Sequence, residues 1–329
     1  MHLPVPEDLV QAFRKYDKFV LLGHEEPDGD CLCSQMALAS FLGRRGGTAR
    51  NGAETSLVSP GPFKRNEIIH MAQRFSLHIP HEFRDTSTLT VVLDCSTIDR
   101  ISYLADELGE AKVAVVDHHA SGKSFGEIRY IHANPPSLTY MIQKIIEAMG
   151  ETPETTEAEL LLFGLATDTG YFRHLETRSA PVFYSAARLV EAGANPKRTH
   201  TGMYGGRKLE ARRLLGRLLA RTESYFDGRL LVTHETLEEK RSYGEENRDS
   251  DTLYQHLQGV ENCEVVILVR EEQPGECSVG LRSNNEIDVG ELAHSFGGGG
   301  HAKAAGFSRP GSIEQTVEAV VSELSGRFR

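Results

Sequence analysis

No apolar run in this sequence reaches 18 residues. The longest stretches, such as LLLFGLA at 160–166, are of core length, so no membrane partner or span is expected. The opening stretch MHLPVPEDLVQAFRKYDK lacks the basic patch and apolar run of an export signal. Cysteine is scarce: Cys31, Cys33, Cys95, Cys263 and Cys277 are too few and too scattered for a disulfide scaffold, and an odd number fits a reducing cytoplasm. Cys31-x-Cys33 is the one close pair. Without a second such pair it points weakly to zinc, and both residues read as small packing residues at a helix start. Positive charge is also short. With 36 Lys and Arg against 47 Asp and Glu the net charge is -11, which argues against coating long nucleic acid, because phosphate contacts need a basic face. A small anionic substrate held by metal ions stays compatible, since the ions bring their own positive charge. There is no internal repeat, and no low-complexity tract beyond one glycine run.

What is present fits an ordinary globular α/β protein. Hydrophobic residues make up 39% and charged residues 25%, enough apolar content for a sizeable core. A length of 329 residues is about twice the prior for one domain, so two are expected. KFVLLGH (18–24), TLTVVLD (88–94) and KVAVVDHH (112–119) read as buried strands. SQMALASFLGRRG (34–46), ending at Gly46, and SLTYMIQKIIEAMG (137–150) read as helices. Strands alternating with helices predict a mainly parallel sheet with right-handed crossovers. A glycine-rich shift in composition at 193–206 marks a boundary, and RKLEARRLLGRLLAR (207–221) reads as a connecting helix with a basic face. Residues 223–329, with runs RLLVTHE, CEVVILVR and CSVGLRS and helices at 288–296 and 312–325, form a second, smaller α/β domain. The division expected is therefore 1–192, a linker at 193–222, and 223–329.

The chemistry lies at the strand ends. In open parallel sheets the ligand crevice lies beyond the carboxyl ends of the strands, so the pattern sets His24, Asp94 and Asp117-His118-His119 on one rim. A helical run at 157–167 then delivers Asp168. In HEEPDGD (24–30), Asp28 and Asp30 stand two apart, and an extended loop shaped by Pro27 and Gly29 sets both carboxylates on one side. One imidazole with two carboxylates suits Mn²⁺ or Mg²⁺. Buried carboxylates are costly without cations, and this set of candidate ligands exceeds the needs of one ion. Two ions sharing a carboxylate would use them all.

HEEPDGD, VVLDCS, VVDHHAS and TDTGYF, in that order, resemble the four motifs of the DHH phosphoesterase family. GLRS at 280–283 and GGGGHAKAAG at 297–306 resemble that family's C-terminal nucleotide-binding module, DHHA1. The resemblance covers nearly the whole chain, and it looks most like the nano-RNase (oligoribonuclease) and pAp phosphatase subgroup. One departure is that Cys31 and Cys33 stand where the family often has a small residue and glycine.

The resemblance implies a DHH catalytic domain and a DHHA1 substrate-binding domain, with the active site in the cleft between them. It implies one metal on His24, Asp28 and Asp94 and a second on Asp30, Asp94, His118 and Asp168, with Asp94 bridging. His119 would face the substrate phosphate and Asp117 would orient a histidine. Arg282, Ser283, Gly298, Gly299, Gly300 and His301 would bind the nucleotide end, the glycines through free backbone N–H groups. The activity implied is Mn²⁺-dependent (or Mg²⁺-dependent) hydrolysis of short RNA or of small nucleotides such as pAp, with no covalent intermediate. The chain is expected to be a cytoplasmic monomer or homodimer without long nucleic acid as a stable partner. Rival readings are a cyclic or linear dinucleotide phosphodiesterase, an inorganic pyrophosphatase, and a non-catalytic nucleotide sensor. A lost ligand would favour the sensor, and none is lost.

Overall fold

Three of the runs predicted as strands form the centre of one sheet. The computed structural model describes residues 3–45, 52–119 and 125–328. The chain divides into two units, Met1–Gly205 and Gly206–Arg329. In the first unit the strands are β1 (Lys18–Leu22), β2 (Glu54–Val58), β3 (Thr88–Leu93), β4 (Lys112–Asp117) and β5 (Ile128–Ile131), and the helices are α1 (Glu7–Lys15), α2 (Gly29–Arg45), α3 (Leu138–Ala148), α4 (Thr155–Asp168), α5 (Ala180–Glu191) and α6 (Pro196–Tyr204). All five strands are parallel, in the order β2-β1-β3-β4-β5. The winding therefore reverses between β1 and β3, a switch point of the kind where open parallel sheets bind ligands. Leu22 pairs with Val92 and Leu93 with Val116, so the carboxyl ends of β1, β3 and β4 lie level.

Side chains alternate across the sheet. Phe19, Leu21, Val91, Leu93 and Val116 pack under helices through Leu9, Leu38, Phe41, Met141, Ile145 and Leu161. Val20, Leu22, Val92 and Val115 pack on the other face against Ile79, Phe83, Ile101 and Leu104, which lie in or beside short 3₁₀ turns. Each such buried aliphatic side chain contributes on the order of 1.5–3 kcal/mol. The central strands are buried almost throughout, whereas the edge strand β2 is mostly half-buried and β5 alternates with solvent. That is why β2 and β5 escape a search for apolar runs.

Helix α2 begins at Gly29, five residues before the predicted start. Asp28 Oδ1 accepts the backbone N–H of Asp30 and of Cys31, both at 3.1 Å, and so caps the helix. Asp30 thus lies in the first helical turn and not on an extended loop, and the two carboxylates are set apart by the cap. The stop predicted at Gly46 lies outside the described residues. In α4, a Cβ added to Gly164 would come 2.4 Å from Thr139 Cγ2 and 3.0 Å from Asp30 Oδ1. Glycine there lets α4 press against the start of α3.

The second unit holds β6 (Glu223–Tyr225), β7 (Leu230–Glu235), β8 (Val265–Gln273), β9 (Glu276–Ser283), β10 (Gly299–His301) and β11 (Ala304–Pro310), with helices α7 (Leu209–Ala220), α8 (Leu237–Tyr243), α9 (Ser250–Gln258), α10 (Val289–Ser295) and α11 (Ile313–Leu324). Its sheet runs β10-β11-β9-β8-β7-β6; β7 and β8 are parallel and the other pairs antiparallel. The run expected to connect the domains, α7, packs Leu214, Leu215 and Leu218 onto Leu231, Leu253 and Val266 of this unit. Along and just beyond this helix, Arg217 and Arg221 pair with Glu239 and Arg212 pairs with Asp249. The five cysteines are free thiols, all buried. Among the described residues no helix is long and apolar enough to cross a membrane.

Candidate metal centre

The level strand ends bring the first-unit candidates together. His24 follows β1, Asp94 follows β3, Asp117 ends β4 with His118 and His119 beyond it, Asp30 lies in the first turn of α2 and Asp168 ends α4. His118 Nε2 lies 3.2 Å from Asp94 Oδ1, 3.2 Å from Asp168 Oδ2 and 3.7 Å from Asp30 Oδ2. His24 Nε2 lies 3.6 Å from Asp94 Oδ2. Asp94 is 2% exposed and holds a backbone φ of 66°, costly for a non-glycine residue and concentrated at functional sites.

The atoms in this cluster face one another without being satisfied. Asp94 Oδ1 and His118 Nε2 are buried, and neither makes a hydrogen bond; Asp117 Oδ2 is likewise without one. Native interiors rarely leave such groups unpaired. Three acidic oxygens converging on one imidazole nitrogen, none aligned as an acceptor, is the donor set of a divalent cation. The residues present therefore fit bound metal. Potential ligand atoms fall into three groups, each within 4.8 Å: His24, Cys31 and Asp94; Asp94, His118 and His119; Asp30, His118 and Asp168. Asp94 belongs to two of them. Asp28 falls outside these groups; its Oδ1 caps α2 and its Oδ2 lies 3.9 Å from Arg65 Nη2.

Outer contacts hold these side chains. Asp30 is fully buried; its Oδ1 accepts the Thr139 backbone N–H at 2.9 Å and the Thr139 hydroxyl at 2.7 Å, and its Oδ2 accepts the Leu138 N–H. The amino terminus of α3 thus fixes Asp30 from more than a hundred residues away, with its dipole favouring the carboxylate. His24 Nδ1 lies 2.7 Å from the Glu25 carbonyl, the usual outer partner of a ligating imidazole, and exposed Arg100 approaches the same nitrogen at 2.9 Å. Arg100 and Thr139 carried no motif signal, and Cys31, read as a packing residue, was not placed at this site by the sequence.

Charge balance without ions falls to protons. Burial opposes protonation of His24, but Cys31 and Asp94 beside it outweigh that and push its pKa up to about 12. Burial likewise opposes protonation of His118, while Asp168 and Asp94 push it up to about 11. Burial, with Asp168 and Asp94 close by, raises Asp30 well above the ordinary carboxylate range. His119 differs. It is half exposed, with Nδ1 2.8 Å from Asp117 Oδ1, and its pKa is raised first by that hydrogen bond. With Nδ1–H engaged, Nε2 is the free ring nitrogen.

In the second unit, Arg282, Ala304 and His301 pair directly across β9, β11 and β10, so their side chains share one face of the sheet. Arg282 stacks its guanidinium 4.5 Å from the Tyr254 ring centre and donates from Nη1 to the Leu281 carbonyl at 2.9 Å. Ser283 is buried on the opposite face, its hydroxyl 3.2 Å from the Asn285 carbonyl. The glycine run is not a free anion-binding loop. The Gly298 N–H donates to the Ala293 carbonyl at 2.8 Å, closing the end of α10, and Gly299, Gly300 and His301 are paired with β11. A Cβ on Gly298 would meet the Gly306 carbonyl oxygen at 2.3 Å, so glycine is needed for strand approach.

Known proteins share this architecture. Residues 18–165 match the DHH family N-terminal domain, and residues 231–329 match the DHHA1 domain. The bifunctional oligoribonuclease and PAP phosphatase NrnA of Thermus thermophilus is 28% identical, over 92% of this chain and 89% of that protein. The structure of an exopolyphosphatase-related protein from Bacteroides fragilis superposes with a TM-score of 0.80 at 22% identity, covering 98% of this chain and 96% of the other. RecJ from Thermus thermophilus in complex with Mn²⁺ gives a TM-score of 0.52 at 17% identity, over 98% of this chain and 54% of that one. Fold and site together define a metal-dependent phosphoesterase. The chain belongs to the DHH family, with a C-terminal DHHA1 domain.

Proposed function

We propose that the chain hydrolyses phosphate esters of very short oligoribonucleotides and of 3′,5′-bisphosphonucleotides such as pAp, using two divalent ions, Mn²⁺ foremost. The observation that supports this most directly is the convergence of Asp30, Asp94 and Asp168 on His118 Nε2 without a hydrogen bond. The near full-length similarity to an oligoribonuclease and PAP phosphatase supports the substrate class. In this reading His24, Asp28 and Asp94 hold one ion, and Asp30, Asp94, His118 and Asp168 the other. Bound there, the ions supply charge for the phosphate oxygens and acidify water.

The chain's own residues do the rest. Asp117 holds His119 in the tautomer whose Nε2 meets a phosphate oxygen, as hydrogen-bond donor and general acid when protonated. Arg282 and His301, about 10 Å apart across two strand spacings with only the Ala304 methyl between them, suit a terminal phosphate and its nucleotide. Ser283 and Gly298 to Gly300 shape that face.

Turnover of pAp, a dinucleotide RNA, an RNA of about two dozen nucleotides and a cyclic dinucleotide, compared with Mn²⁺ present, tests the reading. The expected order sets pAp and the dinucleotide far above the other two. Preference for the cyclic dinucleotide or the long RNA would replace it.

A further inference from the structure

Cys31 and Cys33 read alike in the sequence, and the fold separates them. Two residues are about 200° of helical turn, so the two side chains leave α2 on opposite sides. Cys33 enters an apolar cluster with Leu32, Met36, Ile68, Phe75 and Phe163. The Cys31 sulfur instead lies with a ring nitrogen of His24 and a carboxylate oxygen of Asp94, all within 4.8 Å of one another and all from buried residues.

Asp94, 2% exposed, turns Oδ2 toward His24 Nε2 at 3.6 Å while its Oδ1 faces His118. One further contact supports Cys31 as a ligand position. Gln35, fully buried one turn along α2, donates from Nε2 to the Cys31 sulfur at 3.6 Å. An N–H directed at sulfur is the outer contact that orients a thiolate ligand. Space around the sulfur is kept by Gly23, where a Cβ would come 2.6 Å from Cys31 Sγ and 2.0 Å from Gln35 Nε2.

We propose that Cys31 is a sulfur ligand of the ion held by His24 and Asp94, and that this site prefers Co²⁺, Zn²⁺ or Cd²⁺ to Mg²⁺. The proposal rests on the reading of His24 and Asp94 as metal ligands. Imidazole and sulfur select borderline and soft ions, whereas carboxylates alone suit hard ones. Ligand bonds of about 2.0–2.3 Å in a tetrahedral set hold donor atoms roughly 3.3–3.8 Å apart, and His24 Nε2 and Asp94 Oδ2 already stand 3.6 Å apart. The neighbouring group of Asp30, His118 and Asp168 contains no sulfur. The two sites then differ in softness, and a mixed-metal centre is the favoured state in the presence of both kinds of ion.

Titration of the metal-stripped full-length protein with Co²⁺, followed by absorption spectroscopy, tests this without reference to activity. The expected result is a near-ultraviolet sulfur-to-cobalt charge-transfer band that saturates at one equivalent. The band persists in Cys33→Ala and is lost in Cys31→Ala. By calorimetry, Cys31→Ala weakens Cd²⁺ binding by about 10-fold or more and leaves Mg²⁺ binding nearly unchanged. Cobalt binding with visible ligand-field bands but no charge-transfer band in the unsubstituted protein would overturn the sulfur ligand and leave the two-ion reading standing. A band that survives in Cys31→Ala would overturn it too. Failure of the unsubstituted protein to bind Co²⁺ at all would overturn both.

Discussion

His118 Nε2 and Asp94 Oδ1 stand 3.2 Å apart, both buried, with no hydrogen bond aligned between them. In a site that closes on ions this is the spacing of two ligands and not of a donor and its acceptor. Asp94 also faces His24 through its other oxygen, so its loss removes a partner from both proposed ions. Asp94→Ala is expected to lower kcat more than alanine at His24, Asp30, His118 or Asp168. Dialysis against EDTA is expected to abolish activity, and Mn²⁺ to restore it. A near wild-type kcat in Asp94→Ala, or full turnover in excess chelator, would refute the two-ion centre.

Proton release follows from the charge balance. In the ion-free protein His24 is pushed up to about 12 and His118 up to about 11. Both are then protonated near neutral pH, and an ion must displace those protons to use the ring nitrogens. Metal affinity is therefore expected to weaken as pH falls, by about tenfold per pH unit for each proton displaced. Mn²⁺ calorimetry at pH 6, 7 and 8 in buffers of differing ionisation enthalpy measures the release directly. Zero proton release across that range is the contrary result.

His119 is expected to serve the phosphate and not the ions. His119→Ala should retain both metals by elemental analysis while kcat falls by about 10²-fold or more. The Asp117 hydrogen bond raises the His119 pKa, so the acid form persists to higher pH than for an ordinary imidazole. If the ring acts as the acid, activity declines as pH rises through that raised value. Asp117→Asn, which removes the negative partner, should then move the alkaline limb of the kcat profile to lower pH. An unmoved limb, or a missing ion in His119→Ala, would give the ring a different role.

Arg282 separates recognition from chemistry. Its guanidinium lies over Tyr254 on the face it shares with His301. Arg282→Ala should raise KM for pAp and dinucleotides by an amount equivalent to about 1.5–3 kcal/mol, the scale of a charge-assisted hydrogen bond. Hydrolysis of bis-p-nitrophenyl phosphate, which has no terminal phosphate to hold, should barely change. Equal loss on both substrates would show that this face does not select the nucleotide end.

Much of the catalytic half was legible because its signals are local. Strands β1, β3 and β4 are buried on both faces, so each is a short apolar run, and such strands must end level at a carboxyl rim. The acids and histidines that follow them, with Asp168 at the end of α4, were therefore readable as one cluster before any coordinates. The glycine run was legible as backbone able to approach a ligand, but its role as a strand against β11 and not as an open anion loop depends on pairing with Ala304 to Gly306.

The tertiary structure decided what depends on partners distant along the chain or on a helix phase. Asp28 was legible as an acid, but only the start of α2 shows it as a cap, because the same carboxylate can ligate a metal or accept two backbone N–H groups. Asp30 is pinned by Leu138 and Thr139 and hemmed in by Gly164, contacts that no spacing rule contains. Cys31 and Cys33 are chemically identical in the sequence. One turn of helix, entered at Gly29, sends one sulfur into an apolar cluster and the other toward His24 and Asp94. Residue type and order thus determined the chemistry available to this protein, while the direction in which each group points was settled by packing, because direction belongs to the neighbours and not to the residue.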